Sequence, residues 1–238
     1  MFLTIGCGKQ PNGPAKPVAT EIGKSPTSDV AATVNGEPLA LPDYYQHMGL
    51  KQTAQVMTNH GGTEMRVLGN FGLQALQEMV DQKVLLQMAK EQGVLPTEAE
   101  VSAEEKFQTE LRPNYMSVLQ DQGLTPEIIQ NELMVGLARE HLIMKGVTVS
   151  DTEIEKYIKD NPKKFNAKGL PPTVAQRELV RRGIALDKGR VKNDFDRKFL
   201  ERLRAAKVDV SVPYLKESWA KAWNQLSSSS SAPAPVSK

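Results

Sequence analysis

Apolar and polar positions follow a helical period along most of this chain. Leu73, Leu76, Val80 and Val84 recur at three- and four-residue spacing, with Met79, Leu86 and Ala89 beside them, and predict a helix over 73–92. Gly93 suits the cap that ends it. Thr97 with Glu100 forms a capping box and opens a helix through Val101, Phe107 and Leu111. Pro113-Asn114 interrupts, and a short helix over 115–122 ends at Gly123. Thr125-Pro126-Glu127 supplies a cap, a first-turn proline and a first-turn acid for a helix through Ile129, Leu133, Leu137 and Leu142 to Lys145. Ser150 with Glu153 is a second capping box; its helix carries Ile154, Tyr157 and Ile158 and stops ahead of Pro162. From Thr173 to about Lys207 the pattern is helical again. Val174, Leu179, Ile184, Val191, Phe195, Phe199 and Leu203 form its expected apolar side, with a kink near Gly183 or Gly189. Residues 215–226 predict a short helix anchored by Trp219 and Trp223.

Two stretches read as strands. Val30–Val34 runs into Asn35-Gly36, a strong turn signal, and Glu37-Pro38-Leu39 continues extended. Val208–Val212 alternates apolar and polar residues. Between them, Pro42 and Asp43 open a helix expected to reach Met57; residues 58–62 break it, and Gly69 and Gly72 bracket a second weak point. Since a strand is not stable alone, 30–34 is expected to pair with 208–212. The predicted fold is mainly α, with a small two-stranded sheet that joins the N-terminal and C-terminal strands.

Composition narrows the class. The 238 residues are 39% hydrophobic, 5% aromatic and 24% charged, with net charge +2. That is a globular composition, and no run approaches the roughly 18 apolar residues of a spanning helix. Charge is uneven. Residues 71–145 hold 12 acidic and 6 basic side chains, whereas 174–207 hold 5 and 11. These two regions are expected to attract each other within the fold; a basic surface facing an anionic membrane or client is the sharper alternative. Nucleic acid is not an expected partner, since the chain is nearly neutral and no reading motif is present.

Residues 8–28 and 227–238 are rich in Pro, Gly, Ser and Lys and cannot offset the entropy of ordering. The expected organisation is a truncated signal and disordered tether over 1–28, a helical domain over 29–226 and a disordered tail over 227–238. Within the domain, a core over 29–165 is completed by a closing helix and strand over 173–212. The single cysteine, Cys7, follows Leu3-Thr4-Ile5-Gly6 and precedes the polar linker. This resembles the cysteine of bacterial lipoprotein signals. The residues ahead of it are too few for a basic segment and an apolar run of roughly 7–15 residues. Either translation begins upstream of Met1 or Cys7 is a plain thiol; the expectation is a lipidated Cys7 that holds the chain to a membrane.

No catalytic or cofactor chemistry emerges. His47, His60 and His141 with one cysteine make no metal pattern. Gly61-Gly62 and Gly69-Asn70-Phe71-Gly72 do not follow a buried strand as a phosphate loop would. Glu104-Glu105 is expected to be a solvated helix face. The nine methionines are expected mainly in the core, although flexible thioethers also suit surfaces that accept many partners.

Four segments carry a family resemblance. VAATVNGEPLALPDYY (30–45) resembles the first strand and helix of SurA-type chaperones and PrsA foldases, and LQALQEMVDQKVLLQMAKEQGV (73–94) resembles a leucine-rich helix of that family. VTVSDTEIEKYIKDNPKKF (147–165) is similar to the segment that precedes the parvulin isomerase domain, and FLERLRAAKVDV (199–210) to the closing helix and strand. One departure stands out: only residues 166–173 separate Phe165 from the next helix, whereas an independent domain needs at least about 50 residues.

The resemblance implies a SurA-N-like helical chaperone that lacks the parvulin domain. The expected function is an ATP-independent, extracytoplasmic holdase, without prolyl isomerase activity or cofactor, that binds unfolded or nascent exported proteins. A degenerate prolyl isomerase and a lipid-anchored structural adaptor are the alternatives. The apolar, glycine-punctuated region from Tyr44 to Phe71 supplies the expected client contacts: Tyr44, Tyr45, Met48, Met57, Met65 and Phe71.

Overall fold

The computed structural model describes residues 29–51, 54–59, 62–67, 70–165 and 171–228, the strands 54–59 and 62–67 as backbone. The fold is mainly α. Strand β1 (Val30–Val34) turns through Asn35 and Gly36, at φ 53° and 85°, into β2 (Glu37–Ala40). Two positive φ angles are what a two-residue hairpin turn requires, and Asn-Gly tolerates them. Strand β5 (Val208–Val210) pairs antiparallel with the other edge of β1, Ala32 opposite Val210 and Val34 opposite Val208. The sheet therefore has three strands in the order β2-β1-β5, not two. Asn35 fastens the seam: its N–H donates to Lys207 O at 2.8 Å, and its Oδ1 accepts from Lys207 N–H at 2.9 Å.

Helix α1 is short, Leu41–Gly49. The sequence pattern extends it to Met57, but the chain instead forms a second hairpin, β3 (Ala54–Asn59) against β4 (Gly62–Val67). Asn59 and Gly62, within the stretch that breaks the helical pattern, form the last pair of its ladder. Helix α2 (Phe71–Glu91) is the central element. Its first half buries Leu76, Val80 and Val84 among β1, Tyr44, Leu203, Leu215 and Trp219. Its second half buries Leu85, Met88 and Ala89 against Val135, Ala138, Leu142 and Phe195. Each such aliphatic side chain contributes about 1.5–3 kcal/mol relative to exposure, so α2 ties two clusters into one core.

Helices α3 (Glu98–Leu111), α4 (Tyr115–Asp121) and α5 (Pro126–Met144) follow, then α6 (Asp151–Asp160) and α7 (Pro162–Phe165). Both capping boxes form as expected: Glu100 N–H donates to Thr97 Oγ1 at 3.3 Å and Glu153 N–H to Ser150 Oγ at 3.4 Å.

The basic segment is two helices, α8 (Val174–Asn193) and α9 (Phe195–Ala205). The break falls at Asp194, at φ 48°, and not at Gly183 or Gly189. The buried face of α8 is Ala175, Val180, Ala185 and Gly189, while Val174 (83% exposed), Leu179 and Val191 (87% exposed) face solvent. Small residues let α8 approach α5 closely. Asn193 Nδ2 donates to Ile143 O at 2.7 Å and Lys145 O at 3.0 Å, which satisfies carbonyls that the end of α5 leaves free.

The acidic and basic regions do meet. Arg182 Nη1 lies 2.5 Å from Glu104 Oε2, and Arg202 reaches Glu91. Glu104 is accordingly 6% exposed and buried in an ion pair, not part of a solvated face. A 3₁₀ turn (Pro213–Leu215) and α10 (Lys216–Ser228) complete the core, with Trp219 and Trp223 stacked at 4.9 Å. Cys7 and the expected tether lie outside the described residues.

Candidate functional site

An open trough runs between α1 and α5, with α2 as its floor and α4 at one end. Local sequence shapes it. Gly123, at φ 88°, reverses the chain after α4 so that Leu124 N–H returns to Leu119 O at 3.1 Å. Thr125 then caps α5, accepting from Ile128 N–H at 3.4 Å. Leu119 and Leu124 pack beside Val101, Ile129 and Leu133, which anchors the α4 end of the trough to α3 and α5. Two adjoining cavities of about 350 and 400 Å³ result, sharing His47, Leu50, Gln82, Ile128 and Glu132. Both volumes fall in the roughly 300–1,000 Å³ range of ligand pockets. Their aliphatic lining (Leu50, Leu86, Leu119, Leu124 and Ile128) is only half-buried.

Polar groups frame this lining. Glu78 accepts from Gln74 at 2.9 Å, from the His47 ring at 3.1 Å and from Lys51. Burial acts to raise the Glu78 carboxyl, but these hydrogen bonds outweigh it and the pKa falls below the ordinary value. Gln82 donates to Glu132 at 2.9 Å and so links α2 to α5. Glu127 stands at the mouth, its carboxyl lowered by its own backbone N–H and the Thr125 hydroxyl. A concave aliphatic surface with a fixed polar frame is equipped to bind. Among the described residues no group of three His, Cys, Asp or Glu could hold a metal ion, and no helix is long and apolar enough to cross a membrane.

The residues expected to contact clients lie elsewhere. Tyr44 is fully buried; its hydroxyl is 3.0 Å from that of Tyr214, and burial pushes its phenol above the ordinary value. Tyr45 is 46% exposed, its ring 5.4 Å from that of Tyr44. Met48 packs half-buried on the core, and Phe71 is half-buried at the start of α2. Met57 and Met65 sit in the β3–β4 hairpin, opposite Glu64 and Val56; their side chains lie outside the described residues. Helical geometry puts Tyr44, Tyr45 and Met48 on the flank of α1 away from Asp43, Gln46, His47 and Leu50, which line the trough. The trough residues Leu50, Leu119, Leu124 and Ile128 escaped sequence reasoning. One signal was present: Ile128 is an apolar residue directly beside the buried Ile129, just off the core stripe.

A small sheet closes a helical body, and an open aliphatic trough lies between its helices. Residues 18–143 match the family described as SurA-like N-terminal domain, and the chain belongs to that family. Foldase protein PrsA of Clostridium botulinum (strain Loch Maree) is 29% identical over 168 residues, which cover 62% of this chain and 50% of the relative. Foldase protein PrsA of Clostridium perfringens (strain ATCC 13124) is 27% identical over 184 residues, covering 71% and 50%. The chain thus spans about half the length of the curated relatives it matches. No solved structure gives a significant match.

Proposed function

We propose that this protein is an ATP-independent chaperone that acts outside the cytoplasm and holds unfolded segments of exported proteins in the trough. The observation that carries this reading is the aliphatic lining of Leu50, Leu119, Leu124 and Ile128, left half-buried in a concave site of a SurA-like domain. Apolar contact without a fixed hydrogen-bond pattern gives modest, sequence-tolerant affinity, as a holding function needs. The name foldase of its relatives supports a role in protein folding. For longer clients the proposal adds a second contact region, apart from the trough, at Tyr45, Met48, Met57, Met65 and Phe71. Lipidated Cys7 with residues 8–28 as a tether would keep the domain at a membrane. Catalysis of prolyl isomerisation is not part of the proposal, because only residues 166–173 join α7 to α8.

The test is aggregation of a reduced, unfolded client followed by light scattering. The protein is expected to suppress it at a few-fold molar excess, and an Ile128→Asn, Leu119→Ser variant to lose most of that protection while keeping its far-UV spectrum. Unchanged aggregation at several-fold excess of the wild-type protein overturns the holdase reading. A proline-limited refolding assay on the same preparation separates the foldase alternative: acceleration there would assign catalysis to this chain.

A further inference from the structure

We infer that the trough selects client segments in which an apolar stretch is flanked by lysine or arginine. This rests on the trough being the client site and names the class of segment it prefers.

The charges around the trough are not balanced. Its acids are Asp43, Glu78, Glu127 and Glu132, and its cations Lys51 and Lys83. Both cations are committed. Lys51 is bound to Glu78, and Lys83 lies 3.4 Å from Glu37, outside the trough. Asp43, Glu127 and Glu132 remain, and none of them enters an ion pair among those of the described residues. Glu132 receives only the neutral Gln82 amide, at 2.9 Å. Glu127 is held ionised by hydrogen bonds to its charged form. The three acids stand on α1 and α5, the two walls, so a segment lying on Leu50 and Ile128 passes between them. An acidic flank on that segment would meet like charge on both sides; a basic flank would give these acids the cationic partners that no ion pair among the described residues gives them.

The whole chain has the opposite tendency. Its net charge of +2 would draw acidic peptides, so a preference for basic flanks can arise only locally. Each exposed ion pair contributes modestly, and three together give a preference of roughly tenfold at low salt.

The experiment measures fluorescence anisotropy of the full chain with two labelled, unstructured peptides. They share one apolar centre of Leu, Phe and Ala and carry either Lys or Glu at both flanks. The Lys-flanked peptide is expected to bind about tenfold more tightly at low ionic strength, and the gap to close at about 0.5 M salt, where the Debye length falls to a few ångströms. The isosteric variant Asp43→Asn, Glu127→Gln, Glu132→Gln is expected to bind both peptides alike. Equal binding of the two peptides to the wild-type protein at low salt overturns the inference and leaves the holdase reading standing, as does a preference that the variant retains. Binding of neither peptide overturns both. The salt series uses only wild-type protein, so the outcome does not depend on the variant folding.

Discussion

Gly189→Ala is a one-methyl change that probes what holds the second half of the chain on the first. A Cβ at this position would lie 2.1 Å from Ile143 O, 2.8 Å from its carbonyl carbon and 3.1 Å from its Cγ2. The first two are backbone atoms of α5 and cannot swing aside. Since real Cβ atoms do not come closer than 3.0 Å, α8 has to move off α5 by about 1 Å, which forfeits packing along the interface. That shift also stretches the hydrogen bonds from Asn193 to Ile143 O and Lys145 O, now 2.7 and 3.0 Å. Overpacking costs about 1–3 kcal/mol, and the two weakened bonds about 1–3 kcal/mol together. The better helix propensity of alanine returns about 1 kcal/mol. The expected net loss is about 1–5 kcal/mol.

Gly183 on the same helix is the matched control. A Cβ there meets nothing within 4 Å, so Gly183→Ala should stabilise by about 0.5–1 kcal/mol through propensity alone. Urea unfolding read by the fluorescence of Trp219 and Trp223, with far-UV circular dichroism alongside, compares the two. If Gly189→Ala is as stable as the wild-type protein, or if both substitutions shift the midpoint in the same direction, then close packing of α8 on α5 is not what the glycine provides.

Two further substitutions test the polar interior. Arg182→Ala leaves the 6% exposed Glu104 with only Gln108 as a donor and should cost about 2–4 kcal/mol in urea unfolding, whereas Arg182→Met with Glu104→Leu should recover most of it; a loss below about 1 kcal/mol in the single variant contradicts a stabilising role for the pair. Asp81→Asn should become more stabilising as pH rises: burial lifts the Asp81 carboxyl from 3.8 to about 6, Arg139 opposing and Glu78 adding to the rise. The folded state therefore binds that proton more tightly than the unfolded state, and the stability it contributes below about pH 4 is lost as pH passes through 6. Discounted for partial exposure, the gain is about 1–2 kcal/mol at pH 7.5, and an equal gain at pH 4.5 and 7.5 would rule out this origin.

The elements visible in the sequence are those fixed by local chemistry. Asn35-Gly36, the two capping boxes and the stripe through Leu76, Val80 and Val84 each specify their geometry within a few residues. The pairing of β1 with β5 followed because a lone strand has no stability. What stayed hidden depends on distant partners. In α8 the apolar period was set by Val174, Leu179, Ile184 and Val191, yet Val174, Leu179 and Val191 are exposed. The buried face is Val180 with Ala175, Ala185 and Gly189, three small residues that allow close approach to α5 and carry little weight in an apolar period. The β3–β4 hairpin was hidden because Gln, Ala, Val and Met fit a helix as readily as a strand, so the Asn59–Gly62 reversal passed for a helix break. The trough was hidden for a related reason. Leu50, Leu119 and Leu124 gain significance only when α1, α4 and α5 converge, and nothing local distinguishes a half-buried leucine from a core one.

The trough and the elements that close the core come from different parts of the chain. Every residue that lines the trough lies between Pro38 and Glu132, inside the segment 18–143 that matches the family. The pieces that complete the core come from beyond it: Leu203, Val210, Leu215 and Trp219 cover Val34, Leu76 and Val80, and Asn193 satisfies the end of α5. In sequence, residues 166–173 lie between these two parts. Removing α8, β5 or α10 would strip the core on which the floor of the trough, α2, depends. The matched segment thus supplies the trough, and the residues after it supply the packing that keeps α2 in place beneath it.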